Sequence, residues 1–520
     1  MDIDAATLPE DPDSLKAMVM ALAEKEKSYQ ERIDYLEEHI RLLTNEIFGR
    51  RSEKRPEPDE KQLSLFGQAE PAPEPAEEQI TVYEHTRKKR GRKPLPKDLP
   101  VKEVIHDIDE DEKVCSCGER LSHCGQETSE KLDIIPAKMQ IIRHVRYKYA
   151  CKSCEGTEDE GPTVKIAPNP PQIIPKGIAT PGLLAHILVS KFEDALPFYR
   201  QEKIFARQGV ELGRATMCGW AVKAADQCEP LLEMLGKEIR SGPLINIDET
   251  PVQVMNEPGR ANTTKSYMWV FRGGPPGKSG VIYQYHPTRA GKVPLEFLKD
   301  YQGYAQTDAY RGYDALDKVP GISLVGCWAH VRRKFTEVVK ASGKGKKGHA
   351  QEVLDYIGRL YAVEKSGRKN EFTPEQMVEL RRDQSAPILE KLYDYLNALS
   401  GQTPPKGLLG KAVNYALSNW PLLVRYLENG HITPDNNAAE NALRPFVVGR
   451  KNWLFNGHPR GAAASAAIYS LIETAKANGL KPYFYLRYLF DHLPLAETAE
   501  DYKKLLPQNL STGQIALPAE

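Results

Sequence analysis

Between residues 244 and 325 the chain is a series of short apolar stretches punctuated by Gly, Pro and Asn, and the order of those stretches restricts the fold more than any other feature. Leu244 to Ile247 reads as a buried strand that ends at Asp248. Pro251 to Met255, Tyr267 to Arg272 and Val281 to Tyr285 follow as an antiparallel meander. A helical pattern over Lys292 to Asp300 leads into a strand at Gly303 to Thr307, which ends at Asp308, and Tyr313 to Lys318 then precedes the apolar stretch Ile322 to Val325. The expectation is an α/β domain in which two strands each end in a carboxylate.

That order of elements resembles a ribonuclease-H-like core. A third acid, Glu440 in Asn-Asn-Ala-Ala-Glu-Asn-Ala-Leu-Arg-Pro, lies on a predicted helix behind the start signal Thr433-Pro434. Three carboxylates suit Mg²⁺, a hard cation that takes oxygen ligands. Two such ions about 3.5–4 Å apart would clamp the attacking and leaving oxygens of a phosphodiester. Asp248, Asp308 and Glu440 are therefore the candidate catalytic metal ligands, for Mg²⁺ or Mn²⁺. Side chains alternate along a strand, so Asp248 and Glu249 face opposite ways. Asp248 is expected to share the cleft and Glu249 to face outward.

At 520 residues the chain is long enough for roughly three or four domains. No stretch reaches the roughly 18 apolar residues of a membrane span, and the acidic start is unlike a signal peptide, so a cytosolic protein is expected. The formal net charge of zero conceals a strong segregation: residues 55–80 carry seven acids, whereas 86–97 carry seven bases and no acid. The second run, Arg87-Lys88-Lys89-Arg90-Gly91-Arg92-Lys93-Pro94, resembles an AT-hook, a tract that fits the narrow minor groove of A·T-rich duplex DNA. A generic phosphate-binding arm is the alternative, and it also predicts nucleic acid as the partner.

Ahead of that arm, Leu15, Val19, Leu22, Tyr29, Ile33, Leu36, Ile40, Leu43 and Ile47 follow 4-3 spacing broken only by Glu26, which predicts a coiled coil over 1–54 and self-association. The competing expectation is one amphipathic helix packed on the core. Residues 55–100 read as a disordered linker of Pro, Glu, Ala and Gln. Within it Gln62-Leu63-Ser64-Leu65-Phe66 is an apolar island similar to the peptide by which many bacterial proteins bind the replication sliding clamp.

Four of the eight cysteines form two close pairs, Cys115 with Cys117 and Cys151 with Cys154, which predicts a zinc ribbon over 101–165. The first pair is one residue tighter than a Cys-x-x-Cys knuckle, so His123 and Cys124 stay in reserve as ligands. Cys218, Cys228 and Cys327 read as buried or unpaired. Over 166–240, Leu183 to Phe192, Leu196 to Gln208 and Ala215 to Cys228 are helical patterns separated by turn residues, a helical region compatible with a helix-turn-helix or with any small bundle.

These residues together resemble the DDE transposases of the IS66 group of bacterial insertion sequences, TnpC type. The likeness runs from Phe48-Gly49-Arg50-Arg51-Ser52-Glu53-Lys54, through the basic arm and the cysteines, to Leu196-Pro197-Phe198-Tyr199-Arg200-Gln201-Glu202. It continues through Ile247-Asp248-Glu249-Thr250, Thr307-Asp308-Ala309-Tyr310, Cys327-Trp328-Ala329-His330, Asp435-Asn436-Asn437-Ala438-Ala439-Glu440 and Gly449-Arg450-Lys451-Asn452-Trp453-Leu454-Phe455, ending with Tyr469 to Leu489. The resemblance implies Asp248, Asp308 and Glu440 as metal ligands, a helical insertion between the second and third at about 341–430, and insertion-sequence ends as substrate. It frames a catalytic domain over 241–475 and a C-terminal helical tail over 476–520. It also implies a bacterial, nucleoid-associated protein with accessory proteins of the same element as further partners.

Two more groups of residues gain a role from that placement. His330, three residues after Cys327, resembles the Cys-x-x-His motif of several transposase families and is a candidate catalytic support; a satisfied core histidine is the alternative. Arg332, Arg333 and Lys334 open a window, 332–347, with seven bases against Glu337, a candidate DNA-phosphate track. Arg444 falls on the face of Glu440 and, like Arg450 and Lys451 further along, is a candidate contact to the scissile strand, with a structural ion pair as the alternative for Arg444. The expected activity is DNA cleavage and strand transfer. The rival expectations are a catalytically silent DNA-binding regulator and a ribonuclease-H-like nuclease without strand transfer.

Overall fold

The computed structural model describes residues 11–48, 79–82, 85–88, 139–150, 164–308, 310–342 and 348–516. The chain divides into two compact units, Gly67–Ala167 and the remainder. Helix α1 (Pro12–Phe48) opens the larger unit. The smaller unit holds two antiparallel pairs, β1 (Gln79–Val82) with β2 (His85–Lys88), and β3 (Lys148–Ala150) with β4 (Val164–Ile166). The first pair falls within the stretch expected as a linker, where Ile80, Thr81, Val82 and Thr86 are β-branched residues that favour extended pairing. The island Gln62 to Phe66, the basic residues Lys89, Arg90, Arg92 and Lys93, and Cys115, Cys117, His123, Cys124, Cys151 and Cys154 lie outside the described residues.

In the larger unit four helices, α2 (Pro181–Phe192), α3 (Phe198–Arg207), α4 (Arg214–Gln227) and α5 (Glu229–Arg240), precede the sheet. The sheet itself comprises β5 (Leu244–Gln253), β6 (Lys265–Gly273) and β7 (Gly280–His286), then α6 (Lys292–Phe297), β8 (Gly303–Gln306) and β9 (Ile322–Val325). Its spatial order is β7-β6-β5-β8-β9. The first three strands pair antiparallel, while β8 joins β5 and β9 joins β8 in parallel. The two stretches expected on either side of Asp248 are one strand. Pro251 does not break it because β8 pairs only with Leu244 to Asn246, so at Pro251 β6 is the one strand alongside and no N–H is required on the other edge.

Helices α7 (Trp328–Ala341), α8 (His349–Lys369), α9 (Pro374–Leu380), α10 (Ala386–Ser400), α11 (Leu408–Ser418) and α12 (Trp420–Leu423) form the insertion, with a hydrophobic core of their own around Trp328, Phe335, Ile357 and Leu392. The chain then returns to the sheet through α13 (Asn437–Trp453), α14 (Pro459–Ala477), α15 (Pro482–His492) and α16 (Ala499–Leu505). One continuous core joins the sheet to α2–α5 and α13–α16, so the helices of 166–240, expected as a separate region, and those of the tail are packed on the sheet.

The outer edge of β7 is covered in an unusual manner. Ser470 Oγ accepts from Tyr283 N at 2.8 Å, and Thr474 Oγ1 accepts from Val281 N at 3.0 Å while donating to Val281 O. Hydroxyls on α14 thus occupy the backbone groups a further strand would take. Among the described residues no helix is long and apolar enough to cross a membrane.

Candidate active site

Asp248 is delivered by the centre of β5, where the strand passes beyond β8 and its side chain is half-buried. Asp308 stands two residues beyond β8, in a turn closed by Tyr310 N donating to the Asp308 carbonyl at 2.7 Å. Glu440 sits in the first turn of α13. The start of that helix is fixed by a buried polar network. Asn246 Nδ2 donates to Gln306 Oε1 at 2.9 Å and to Asn436 Oδ1 at 3.0 Å, and Asn436 Nδ2 donates to Ile247 O at 2.8 Å. Gln306 Nε2 reaches Thr433 O at 2.7 Å, and Asn436 N donates to Cys327 Sγ at 3.2 Å. Buried amides that satisfy one another in this way hold the ends of β5 and β8 and the N-terminus of α13 in one register.

A cavity of about 360 Å³ is lined by Asp248, Glu249, Thr250, His330, Arg333, Glu440, Leu443, Arg444 and Val447. Burial, and then the charges of Glu249, Asp308 and Glu440, push the Asp248 carboxyl up to about 8. Glu249 departs from the outward position expected of it. Its side chain is 1% exposed, accepts from Tyr313 and is paired with Arg289. Arg289 also lies 3.9 Å from Asp308 and stacks on Tyr310 at 3.7 Å. The face of β5 opposite Asp248 is thus a buried polar site rather than a solvated one.

His330 and Arg333 approach Glu440 from α7, with His330 Nδ1 at 3.8 Å from Oε1 and Arg333 Nη2 at 3.6 Å from Oε2. The first distance is too long for a hydrogen bond. Both His330 Nδ1 and Glu440 Oε1 are buried without a hydrogen-bond partner. Burial and the neighbouring Arg333 charge lower the His330 pKa, which keeps the ring neutral and its lone pair available. Among the described residues, the three donor atoms close enough to share one ion belong to Cys327, His330 and Glu440, within 4.8 Å of one another. A buried Glu440 Oε1 with no hydrogen-bond partner, beside an Asp248 carboxyl driven toward its neutral form by burial and by neighbouring carboxylates, fits a hard divalent cation. Cys327 is a poor ligand for such an ion, because burial pushes its thiol up to about 12.

The remaining basic candidates separate. Arg333 is the member of the 332–334 run that reaches the cavity; Lys334 lies over the Tyr415 ring at 4.5 Å, since successive helical positions point about 100° apart. Arg332 is half-buried. Arg444 lines the cavity, Arg450 Nη1 donates to Thr250 Oγ1 at 3.1 Å, and Lys451 is exposed. Arg87 and Lys88 belong to β2. Arg289, Tyr313, Asn246, Gln306 and Asn436 were not singled out from the sequence. Asn246 and Gln306 did carry a signal, as amides interrupting otherwise apolar strands.

Comparison with known proteins defines the class. Residues 176–464 match the model described as "Transposase IS66 family", 112–155 a "zinc-finger binding domain of transposase IS66", and 470–508 the "IS66 C-terminal element". Residues 35–104 match "Transposase C of IS166 homeodomain". The chain belongs to the IS66 transposase family. Relatives in Sinorhizobium fredii include the uncharacterized protein y4jD, 32% identical over the whole of both chains, and the uncharacterized protein y4qI, 29% identical over 99% of this chain and all of that protein.

Proposed function

We propose that the larger unit is a ribonuclease-H-like catalytic core that cleaves the ends of an insertion sequence and joins them to target DNA, with Asp248, Asp308 and Glu440 as metal ligands. The carrying observation is positional: Asp248 of β5 and Glu440 of α13 line one cavity with His330 and Arg333, and Asp308, from the turn after β8, adds its charge to the field at the Asp248 carboxyl. The strand order, with three antiparallel strands followed by two in parallel, supports the same reading. A divalent cation bound there would lower the pKa of an attacking water or hydroxyl and neutralise charge on the phosphoryl group.

The protein's own residues supply position. The Asn246–Gln306–Asn436 network sets the register of Glu440 against Asp248. Arg289 restrains Asp308 and Glu249 from one side. Arg333, Arg444 and Lys451 place positive charge around the cleft for the phosphates on either side of the cut. His330, neutral and beside Glu440, would act as a further ligand or proton acceptor through Nδ1.

Asp248→Asn, Asp308→Asn and Glu440→Gln are each expected to lower cleavage of a labelled element end in Mg²⁺ by at least 10³-fold, while gel-shift affinity changes less than threefold. Near-normal cleavage by any one of them removes that residue from the assignment. Strand transfer is read in the same reaction by adding a plasmid target, which separates a transposase from a nuclease. For 101–165 we propose a structural Zn²⁺ held by Cys115, Cys117, Cys151 and Cys154. About one Zn²⁺ per chain by metal analysis, lost on Cys151→Ser, is the expected result.

A further inference from the structure

The C-terminal end of α13 carries a feature that cleavage chemistry does not use. Leu454 adopts φ 68° and ψ −53°, and Phe455 N donates to Trp453 O at 2.9 Å across it. This is the γ-turn of positive φ, which is rare and strained, and here a leucine rather than a glycine occupies its centre. Such a conformation persists only where the surroundings enforce it. They do so here: Asn456 N donates to Gln253 O at 3.0 Å, Met255 N donates to Asn456 O at 2.8 Å, and Asn256 Nδ2 donates to Gly457 O at 3.0 Å. On the other side Trp453 packs against Phe446.

The strained turn therefore links α13, which bears Glu440, to the end of β5, which bears Asp248. It pushes two large apolar side chains into solvent, with Leu454 66% and Phe455 48% exposed. The local sequence is basic. From Asn441 to Ile472 the chain has four bases, Arg444, Arg450, Lys451 and Arg460, and no acid, with Arg460 paired to Asp226 at 3.1 Å. Glu440, Arg444, Val448 and Lys451 recur at 4-4-3 spacing, which sets them along one side of the helix, and Phe455 follows just past its end. An apolar tip at the end of a basic track that starts at the candidate metal ligand matches a DNA duplex, whose phosphates meet the bases while the tip meets the base stack.

We propose that Leu454 and Phe455 form a wedge that enters the base stack of the element end, unstacking a base step to fix the duplex in the cleft. This rests on the DNA-cleaving reading above. Fourteen residues of helix separate Glu440 from Leu454, about 21 Å at 1.5 Å per residue, or roughly six nucleotide steps of 3.4 Å. The wedge should act at that distance from the cut. Insertion of leucine or phenylalanine between base steps is physically well matched to this pair, because unstacking exposes apolar base faces that the side chains then cover.

The test uses the full-length protein and the end of the insertion sequence that carries its gene, with 2-aminopurine placed in turn at each position from four to eight nucleotides on either side of the cut. Binding is read with Ca²⁺ in place of Mg²⁺, so the signal does not depend on cleavage. The unmodified protein should raise fluorescence at one or two adjacent positions, and Phe455→Ser should abolish that rise. Leu454→Gly, which removes the side chain and suits the positive φ, should hold or raise the melting temperature yet cut a fully paired end at least tenfold more slowly. An end carrying an abasic site at the unstacked position should restore its rate to within threefold of the unmodified protein. A flat 2-aminopurine profile, or full cleavage of the paired end by both variants, overturns the wedge. Fluorescence enhancement by a protein that cuts no end would instead retain the wedge and refute the catalytic reading.

Discussion

Single residues in this site are tuned against one another. Asp248 is the clearest case, since burial and then Glu249, Asp308 and Glu440 push its carboxyl up to about 8. A group whose folded pKa lies above its unfolded value keeps a proton that the unfolded chain has already released. Between about pH 4 and pH 8 the metal-free fold therefore loses stability as pH rises. Asp248→Asn removes that dependence and should raise the metal-free melting temperature at pH 8 by roughly 3 °C, while at pH 5 the difference shrinks. Mg²⁺ should stabilise the unmodified protein more at pH 8 than at pH 6. Calorimetry decides both, and a variant that melts lower than the unmodified protein at pH 8 would contradict the crowding of charge. The sequence drew attention to the three acids because Asp248 and Asp308 follow apolar stretches and Glu440 follows a helix start signal; in the fold Asp248 stands at the centre of β5, Asp308 two residues past β8 and Glu440 in the first turn of α13. Glu249 was misplaced because strand alternation gives the face of a side chain but says nothing of what covers that face. Its partners, Arg289 and Tyr313, lie 40 and 64 residues away in the chain.

At the scale of elements, local pattern was enough to find three of the four helices of 180–240, all but α5, and all the strands between 244 and 325, but not their joins. β5 is one strand because β8 stops short of Pro251, a long-range fact with no local signature. The insertion shows the same limit. Its existence was implied by the family resemblance, with which the 132 residues between Asp308 and Glu440 agree, yet its attachment depends on Arg381, which is 1% exposed and forms two bonds to Glu364 at 2.7 and 2.8 Å. The same guanidinium donates to the carbonyls of Tyr426, Asn429 and Ile432, so it stitches the insertion to the loop that leads into α13. Removing one partner of a buried ion pair leaves the other charge stranded, at a cost of about 3–5 kcal/mol. Arg381→Leu should lose stability by that amount in urea unfolding. Arg381→Leu with Glu364→Leu should recover at least half of it. An equal loss in the double variant would show that the carbonyl contacts, not the ion pair, carry the anchoring.

For the whole molecule the open question is how copies of the chain meet, and α1 is the element that bears on it. Its 4-3 seam was read from the sequence as a self-associating surface, with packing on the protein's own core as the competing reading. The structure gives the helix a foothold on its own core without consuming the seam. Glu38 Oε2 accepts from Leu408 N at 3.2 Å, and the Lys411 ammonium lies 4.3 Å from the Tyr35 ring. Tyr35 and Glu38 flank the seam position Leu36 and belong to a different side of the helix. The seam itself stays in solvent, with Val19 59%, Tyr29 69%, Ile33 49% and Ile40 63% exposed. Apolar residues repeated at 3.5-residue spacing over a 37-residue helix form a stripe that a second such helix would bury. Burying a large aliphatic side chain stabilises by about 1.5–3 kcal/mol, so loss of two per chain weakens a dimer by at least 10³-fold. Leu22→Lys with Ile33→Lys is therefore expected to convert the protein from dimer to monomer at micromolar concentration in sedimentation equilibrium. Its unfolding midpoint in urea should stay within error, because both substituted residues are exposed. A monomeric unmodified protein, or a double variant that unfolds early, would instead assign the seam to packing within one chain.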